Sequence, residues 1–162
     1  MSERAQTLAD RFEQANEEFV AVVSRLSEAQ WRAYCPEEDR TVAALARHVA
    51  VGYAVEIDAF RALAEGQPVR TWTRAALAEV NAEDGSAYAD CDEAETVQLL
   101  QREAAAAAAV VRSLSDEQLA RSGVYVEELP TMTVDQWIER VLVGHPEGHL
   151  RSIRAAVEYQ PV

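Results

Sequence analysis

Two histidines, His145 and His149, stand four residues apart in the segment GHPEGH at positions 144–149. Residues four apart lie one turn apart on the same face of a helix, with Cβ atoms about 6 Å from each other. Both imidazoles can therefore point at one ion, and neutral imidazole is the commonest side-chain metal ligand. The two histidines continue an apolar row of helical spacing, which consists of Val134, Ile138 and Val141. We therefore expect both to face the interior.

The chain has only one other histidine, His48, and it also falls on a row of helical spacing. This row consists of Leu45, His48, Gly52, Val55 and Ala59. Three buried imidazoles each need a polar partner, and one shared ion would satisfy all three. The pattern predicts a metal site formed by His48, His145 and His149. Separate core histidines with hydrogen-bond partners of their own are the alternative interpretation.

The elements that would position these histidines are helices. The chain has 162 residues, 49% of them hydrophobic, with 6 glycines and 5 prolines. This length suits one domain over residues 1–162, and the pattern lacks the alternating apolar runs of strands. Apolar residues repeat at helical spacing in four long segments, which are residues 2–26, 41–64, 93–114 and 133–159. We therefore predict an all-α protein. A run of six alanines at 104–109 predicts that the third helix approaches its neighbours closely.

Residues 67–92 form a long connection with one short predicted helix at 75–81 and a polar turn at 83–86. A connection of this length is too long for a tight hairpin, so it predicts a crossover between parallel neighbouring helices. The predicted architecture is an up-down-down-up four-helix bundle, with the long crossover between helices 2 and 3.

Capping boxes recur in the two halves of the chain. Ser27 with Gln30 and Ser115 with Gln118 each follow a long helix, and Thr-Val opens the next long helix both times. The second Thr-Val, at 133–134, has a capping-box partner in Gln136. The pattern indicates a duplicated helix pair with pseudo-twofold symmetry. Within the last helix, Pro146 predicts a kink near residues 142–145, or a break after which the helix restarts.

The net charge is −13, which disfavours binding to nucleic acids and to anionic membranes. The sequence contains no run of about 18 apolar residues, so it predicts no membrane span. The N-terminus lacks the apolar core of a signal peptide. We therefore expect a cytoplasmic protein. Cys35 and Cys91 are far apart in sequence and are expected to be unpaired thiols in a reducing compartment.

Three short segments together resemble the DinB-like family of four-helix bundles. They are TVAALARHV at 41–49 with Trp31 before it, LSDEQL at 114–119 and HPEGHLRSI at 145–153. The superfamily includes mycothiol-dependent maleylpyruvate isomerases and related thiol-dependent transferases. The resemblance implies a divalent ion on His48, His145 and His149, a small-molecule substrate, a low-molecular-weight thiol as co-substrate and a homodimer. The isomerase branch tends to have a carboxylate where this chain has His145, so the resemblance favours the three-histidine branch.

Three protein nitrogens leave at least one position open on the ion, as in catalytic zinc sites. Zinc fits this ligand set best, and nickel also binds imidazole. Candidate pocket residues are Tyr53, Asn81 and Ser152. No general base is evident. Glu147 should face outward, and Glu56 lies two turns from His48, about 12 Å along the helix axis, which is too far for contact with the ion.

Three functions remain open from the sequence. The first is a metal-dependent transferase, isomerase or hydrolase that activates a thiol or water to attack a small electrophile. The second is a non-catalytic bundle that binds a metal or a small ligand. The third is a stress-associated dimer without small-molecule chemistry, and Tyr53 and Phe60 could cover a flank at its subunit contact.

Overall fold

The structure is a computed structural model, and it describes residues 1–158. Four long rods contain most of the chain, and short helices and two-residue strands join them. The helices are α1 (Glu3–Val23), α2 (Glu28–Trp31), α3 (Val42–Ala64), α4 (Arg74–Ala87), α5 (Glu93–Ser113), α6 (Asp116–Leu119), α7 (Val134–Trp137) and α8 (Gly144–Glu158), with a π-helical segment (Ile138–Val143) between the last two. The strands are β1 (Tyr34–Cys35), β2 (Arg40–Thr41), β3 (Ser122–Gly123) and β4 (Met132–Thr133). None of the described helices combines the length and apolar character needed to cross a membrane.

The fourth rod consists of α7, the π-helical segment and α8. Both α1 and α3 pack against α5 on one side and against the fourth rod on the other. Helices that follow one another through the short connections therefore lie diagonally across the bundle. Long side chains still meet across this diagonal. The rings of Phe12 and Tyr53, for example, pack edge to face with centroids 4.9 Å apart.

Polar contacts between the rods show their relative directions. Ser2 at the start of α1 bonds to Asp116 just beyond α5, so α1 and α5 are antiparallel. Arg11 and Arg154 form ion pairs with Glu139 and Glu18, so α1 runs parallel to the fourth rod. The Cys91 thiol, next to the start of α5, donates to the carbonyl of Ala43 near the start of α3, so these two helices are parallel. The predicted up-down-down-up four-helix bundle is confirmed.

The two halves of the chain repeat the same order of elements. After α1, a Ser27–Gln30 capping box opens α2, and the paired strands β1 and β2 lead into α3. After α5, a Ser115–Gln118 capping box opens α6, and the paired strands β3 and β4 lead into α7. The predicted repeat of a helix pair is therefore present, with a small antiparallel strand pair at each equivalent position.

The crossover contains more helix than the sequence predicted. The short helix expected at 75–81 is α4, which extends to Ala87 and includes the expected turn at 83–86. Gly85 lets α4 pack closely against β2, because a β-carbon there would lie 3.3 Å from Cβ of the buried Arg40.

The irregularity expected from Pro146 begins earlier than predicted. The last rod is π-helical from Ile138 to Val143, and the N–H of Gly144 bonds to the carbonyl of Glu139, five residues back. Proline has no N–H to bond back to residue 142, and the wider π spacing comes just before it. The added spacing changes the inward row, because Leu142 and Val143 are buried instead of Val141. The predicted end of this helix near residue 159 lies outside the described residues.

Two residues that were expected to cover a flank of the bundle lie in the core instead. Tyr53 and Phe60 are 0% and 1% exposed. The Tyr53 hydroxyl bonds to Oδ1 of Asn16 at 3.1 Å, and the Phe60 ring stacks on Trp137 with centroids 6.4 Å apart. The expectation that they cover a subunit flank is wrong, since both are enclosed in their own bundle. The predicted homodimer stays a prediction.

Substitutions in the alanine run test how closely α5 packs against its neighbours. Ala107 is fully buried between rods, while Ala106 next to it is exposed. Ala107→Leu should lower the free energy of unfolding by about 1–3 kcal/mol, because the added carbons have no space. Ala106→Leu should change it by less than about 0.5 kcal/mol. Urea denaturation of both variants measures this, and equal stability would contradict close approach at this position.

Candidate metal centre

The three histidines meet between α3 and α8. His48 lies on α3, and His145 and His149 lie in the first turns of α8. One ring nitrogen from each lies within 4.8 Å of the other two. The ring centroids are 4.7 Å apart for His48 and His145, 5.2 Å for His48 and His149, and 4.7 Å for His145 and His149. The structure therefore brings together the three residues that the sequence singled out.

The His145 ring spans the space between two residues of α3. Its Nε2 lies 2.8 Å from Nε2 of His48, and its Nδ1 lies 2.7 Å from Oε1 of Glu56. Gly52, midway between these two residues, makes room for the ring. A β-carbon on Gly52 would lie 2.8 Å from Cε1 of His145.

The helical spacing predicts that Glu56 lies too far from His48 to contact the ion, but it does not show that Glu56 meets another of the three histidines. The distance from His48 along α3 is real, but the His145 ring from the facing helix lies between the two residues. Glu56 is therefore in contact with a candidate ligand rather than with the ion itself. The pattern His48, Gly52, Glu56, at steps of four on one helical face, could have indicated this.

His149 has a carboxylate partner from a connecting segment. Nδ1 of His149 lies 2.9 Å from Oε1 of Glu38, in the turn between β1 and β2. Ser152 donates to the same oxygen at 2.8 Å. Ser152, which was a candidate pocket residue, does not line the cleft beside the histidines. It contacts the centre only indirectly, through Glu38. Sequence reasoning missed Glu38, because nothing in the periodicity of the chain shows where a turn residue will fold back.

The carboxylates orient the imidazoles for binding through Nε2. A carboxylate facing Nδ1 favours the tautomer with a proton on that atom, which leaves a lone pair on Nε2. Metal-binding histidines commonly have such a carboxylate partner. Glu38 and Glu56 supply this arrangement for His149 and His145, respectively.

The pKa values of the three histidines shift in different directions, because burial lowers them and a neighbouring carboxylate raises them. Burial, followed by the nearby His145 and His149, lowers the pKa of His48 to about 2. Burial also lowers the pKa of His149 and outweighs its hydrogen bond to Glu38. For His145, the Glu56 carboxylate outweighs burial and raises the pKa. The hydrogen bond from His149 lowers the pKa of Glu38 to about 2.

The residues present fit a divalent ion. Oε2 of Glu56 and Nδ1 of His145 are buried without a well-aligned hydrogen-bond partner among residues 1–158. Two facing Nε2 atoms can share only one proton or one ion, and nitrogen ligands of tetrahedral zinc lie about 3.4 Å from each other. A small widening of the 2.8 Å separation between His48 and His145 would meet that distance. Three imidazoles also form a donor set that zinc and nickel accept.

An open cleft of about 520 Å³ lies over the centre. All three histidines line it, together with Glu38 and Glu56. Asn81 of α4 lines it as well, as the sequence analysis suggested, whereas Tyr53 does not. The remaining lining residues are Arg40, Leu77, Tyr125, Val126, Arg140, Val141, Gly144 and Gly148. Glu147 is exposed and points away from the cleft, as expected.

The two cysteines stand apart from this centre. Both are free thiols that donate to backbone carbonyls, Cys35 to Ser152 at 3.4 Å and Cys91 to Ala43 at 3.3 Å. Burial raises the pKa of Cys35 to about 11. Neither thiol is therefore prepared to act as a nucleophile.

The depressed pKa of His48 predicts an acid-sensitive fold in the absence of metal. The unfolded chain binds a proton at His48 below pH of about 6.5, while the folded chain keeps this ring neutral. The free energy of unfolding should therefore decrease as the pH is lowered below about 6.5, by up to about 1.4 kcal/mol per pH unit. Urea unfolding in a chelating buffer should show that His48→Gln flattens this dependence between about pH 6.5 and 5. The control Glu147→Gln should follow wild type, and parallel curves for His48→Gln would contradict the prediction.

Comparison with solved structures supports the fold. YfiT from Bacillus subtilis, described as a probable metal-dependent hydrolase with an unusual four-helix bundle topology, is 18% identical with a TM-score of 0.75, over 98% of this chain and 89% of that one. An uncharacterized protein from Clostridium difficile 630 is 18% identical with a TM-score of 0.76, over 99% of each chain. A protein from Streptococcus pneumoniae is 20% identical with a TM-score of 0.73, over 96% of this chain and 91% of that one.

No curated protein matches the sequence. The family model of the DinB superfamily, by contrast, matches residues 11–153, a span that contains all three histidines and both of their carboxylate partners. The match covers most of the chain and agrees with the bundle described above, so this protein belongs to the DinB superfamily.

Proposed function

We propose that the protein is a metal-dependent enzyme that hydrolyses a small electrophilic substrate, with the ion held by His48, His145 and His149. The observation that carries this proposal is that ring nitrogens from all three lie within 4.8 Å of one another at the base of an open cleft. The likeness to YfiT, a probable metal-dependent hydrolase, supports the reaction class. Zinc is the ion that we expect first, and nickel second.

The surroundings of the centre favour catalysis over a purely structural ion. Structural zinc is usually closed by four protein ligands, whereas catalytic zinc has three and an open position. Among residues 1–158, no fourth histidine, cysteine, aspartate or glutamate joins the three-histidine cluster. The cleft gives a small molecule access to the same point.

Residues around the ligands have distinct roles in this proposal. Glu38 and Glu56 hold the imidazoles in the tautomer that binds through Nε2. Oε2 of Glu56 has no partner within the described part of the chain, so it is the candidate proton acceptor that the sequence did not identify. A bound divalent ion would supply a polarised nucleophile and Lewis acidity toward the substrate.

The nucleophile is water in this proposal. A low-molecular-weight thiol is the other nucleophile suggested by the family resemblance. Such a thiol would have to come from solution, because Cys35 and Cys91 are engaged with backbone carbonyls. The same assay can separate the two, since thiol transfer requires added thiol and hydrolysis does not.

Metal content tests the ligand set. Protein purified without a histidine tag should contain about one divalent ion per chain by mass spectrometry, and His145→Ala should lose it because only two imidazoles remain. Glu147→Gln, an exposed substitution between two ligands in sequence, should keep the ion. Wild-type protein should hydrolyse members of a panel of small esters and amides, stop after chelation and recover with zinc.

Two results would contradict the proposal. The first is wild-type protein that takes up neither zinc nor nickel when supplied. The second is full metal occupancy in His145→Ala. Turnover that appears only with added thiol would replace hydrolysis with thiol transfer at the same centre.

A substitution at Gly52 tests the geometry of the centre without changing any of the three histidines. Gly52→Ala would put a β-carbon 2.8 Å from Cε1 of His145 and should displace this ring from its position beside His48. We expect metal affinity to fall about 10–100-fold, as with other changes that misorient a ligand. Gly148→Ala is the matched control, since the nearest atom to its β-carbon would be 3.7 Å away. Competition with a fluorescent chelator measures both, and equal affinities would show that His145 does not depend on this space.

A further inference from the structure

Arg40 places a buried positive charge in the cleft. It ends the turn between β1 and β2, lines the cleft beside the three histidines and is only 9% exposed. Its Nε donates to the backbone carbonyl of Glu38 at 3.1 Å. This bond fixes the plane of the guanidinium group and leaves the two Nη atoms at its end.

The end of the Arg40 guanidinium has no partner in the described chain. Nη1 is buried without a hydrogen bond, and no carboxylate oxygen of residues 1–158 lies within 4.0 Å of the group. The chain has 28 acidic residues, and the less buried Arg112 pairs with both Asp10 and Glu13. Other arginines of residues 1–158 also have no carboxylate within 4.0 Å, but Arg40 is the only buried one among them.

An unpaired buried charge is unfavourable unless something else satisfies it. The nearby acids Glu38 and Glu56 direct their carboxylates at His149 and His145 instead. Among residues 1–158, the Nη donors of Arg40 therefore have no partner, and both carboxylates of the cleft are directed at histidines. Two parallel N–H donors of a guanidinium match the two oxygens of a carboxylate.

We propose that Arg40 recognises a carboxylate on the substrate, so that the cleft takes small carboxylic acids whose reactive group reaches the three-histidine centre. The inference rests on the proposed function for the place of reaction, and names the substrate class. Arg140, exposed at the rim of the cleft and likewise without a carboxylate within 4.0 Å among residues 1–158, adds attraction for an anion. Leu77, Tyr125, Val126 and Val141 provide an apolar wall for the body of the ligand.

The first test uses cobalt(II)-loaded protein and two thiols of nearly equal shape, 3-mercaptopropionate and its neutral amide. The thiolate–cobalt absorption band reports coordination and gives an affinity for each. Wild type should bind the acid at least about tenfold more tightly than the amide, since a charge-assisted pair of hydrogen bonds is formed only by the acid. Arg40→Met should reduce this preference to less than about twofold, with little change for the amide.

Two further variants separate recognition from general charge and from folding. Arg25→Met removes an exposed arginine outside the cleft and should retain the full preference. Arg40→Lys keeps the charge but loses the fork of donors, so it should lose most of the preference. Thermal unfolding checks that each variant is folded.

A second test needs no metal. In metal-free protein, 3-mercaptopropionate should shift the ¹⁵N–¹H cross-peak of the Arg40 Nε–H group more than the amide does. The absence of this cross-peak in Arg40→Lys assigns it. If zinc, nickel and cobalt all fail to load but the acid still shifts the cross-peak selectively, the proposed function fails and the carboxylate site stands. Equal affinities for acid and amide in cobalt-loaded wild type, or equal shifts in metal-free protein if cobalt does not load, would overturn the inference.

Discussion

The antiparallel contact of α3 with α8 is the constraint on which the site depends. It lets the ring of His145 cross Gly52 and reach His48 on one side and Glu56 on the other. A side chain at position 52 would separate these groups. Because helices pack rigidly, a shift of α8 against α3 by about 1 Å would change the distances between the ring nitrogen of His48 and those of His145 and His149. The other two long helices, α1 and α5, pack against the two rods that make this contact.

The bundle holds it through its diagonal arrangement. Both histidine-bearing rods pack against helices that carry no candidate ligand, α5 on the α3 side and α1 on the α8 side. Small alanines let α5 approach closely, and ion pairs fix the direction of α1. The π-helical segment then turns Leu142 and Val143 into the core, so that His145 and His149 face the cleft between the rods. π-Helical turns are frequent at functional sites, and this one directly precedes the two candidate ligands in α8.

Charge within the cleft runs against the character of the whole chain. The protein carries a net charge of −13, yet the cleft is lined by two arginines, Arg40 and Arg140, that have no carboxylate within 4.0 Å in the described part of the chain. The two acids there, Glu38 and Glu56, are directed at imidazoles. An ion on the three histidines would add further positive charge. The local field would therefore attract an anion to the place where the rest of the surface repels one.

The sequence by itself determined the helices, the bundle order and the three histidines, because helical periodicity and i, i+4 spacing are local properties of the chain. It also determined the capping boxes that open α2 and α6. Only the tertiary structure decided that Glu38 and Glu56 meet the histidines, that Tyr53 lies in the core and that Arg40 has no carboxylate within 4.0 Å among residues 1–158. These are contacts between segments distant along the chain, and their partners follow from how rods cross and turns fold back, which no local pattern records.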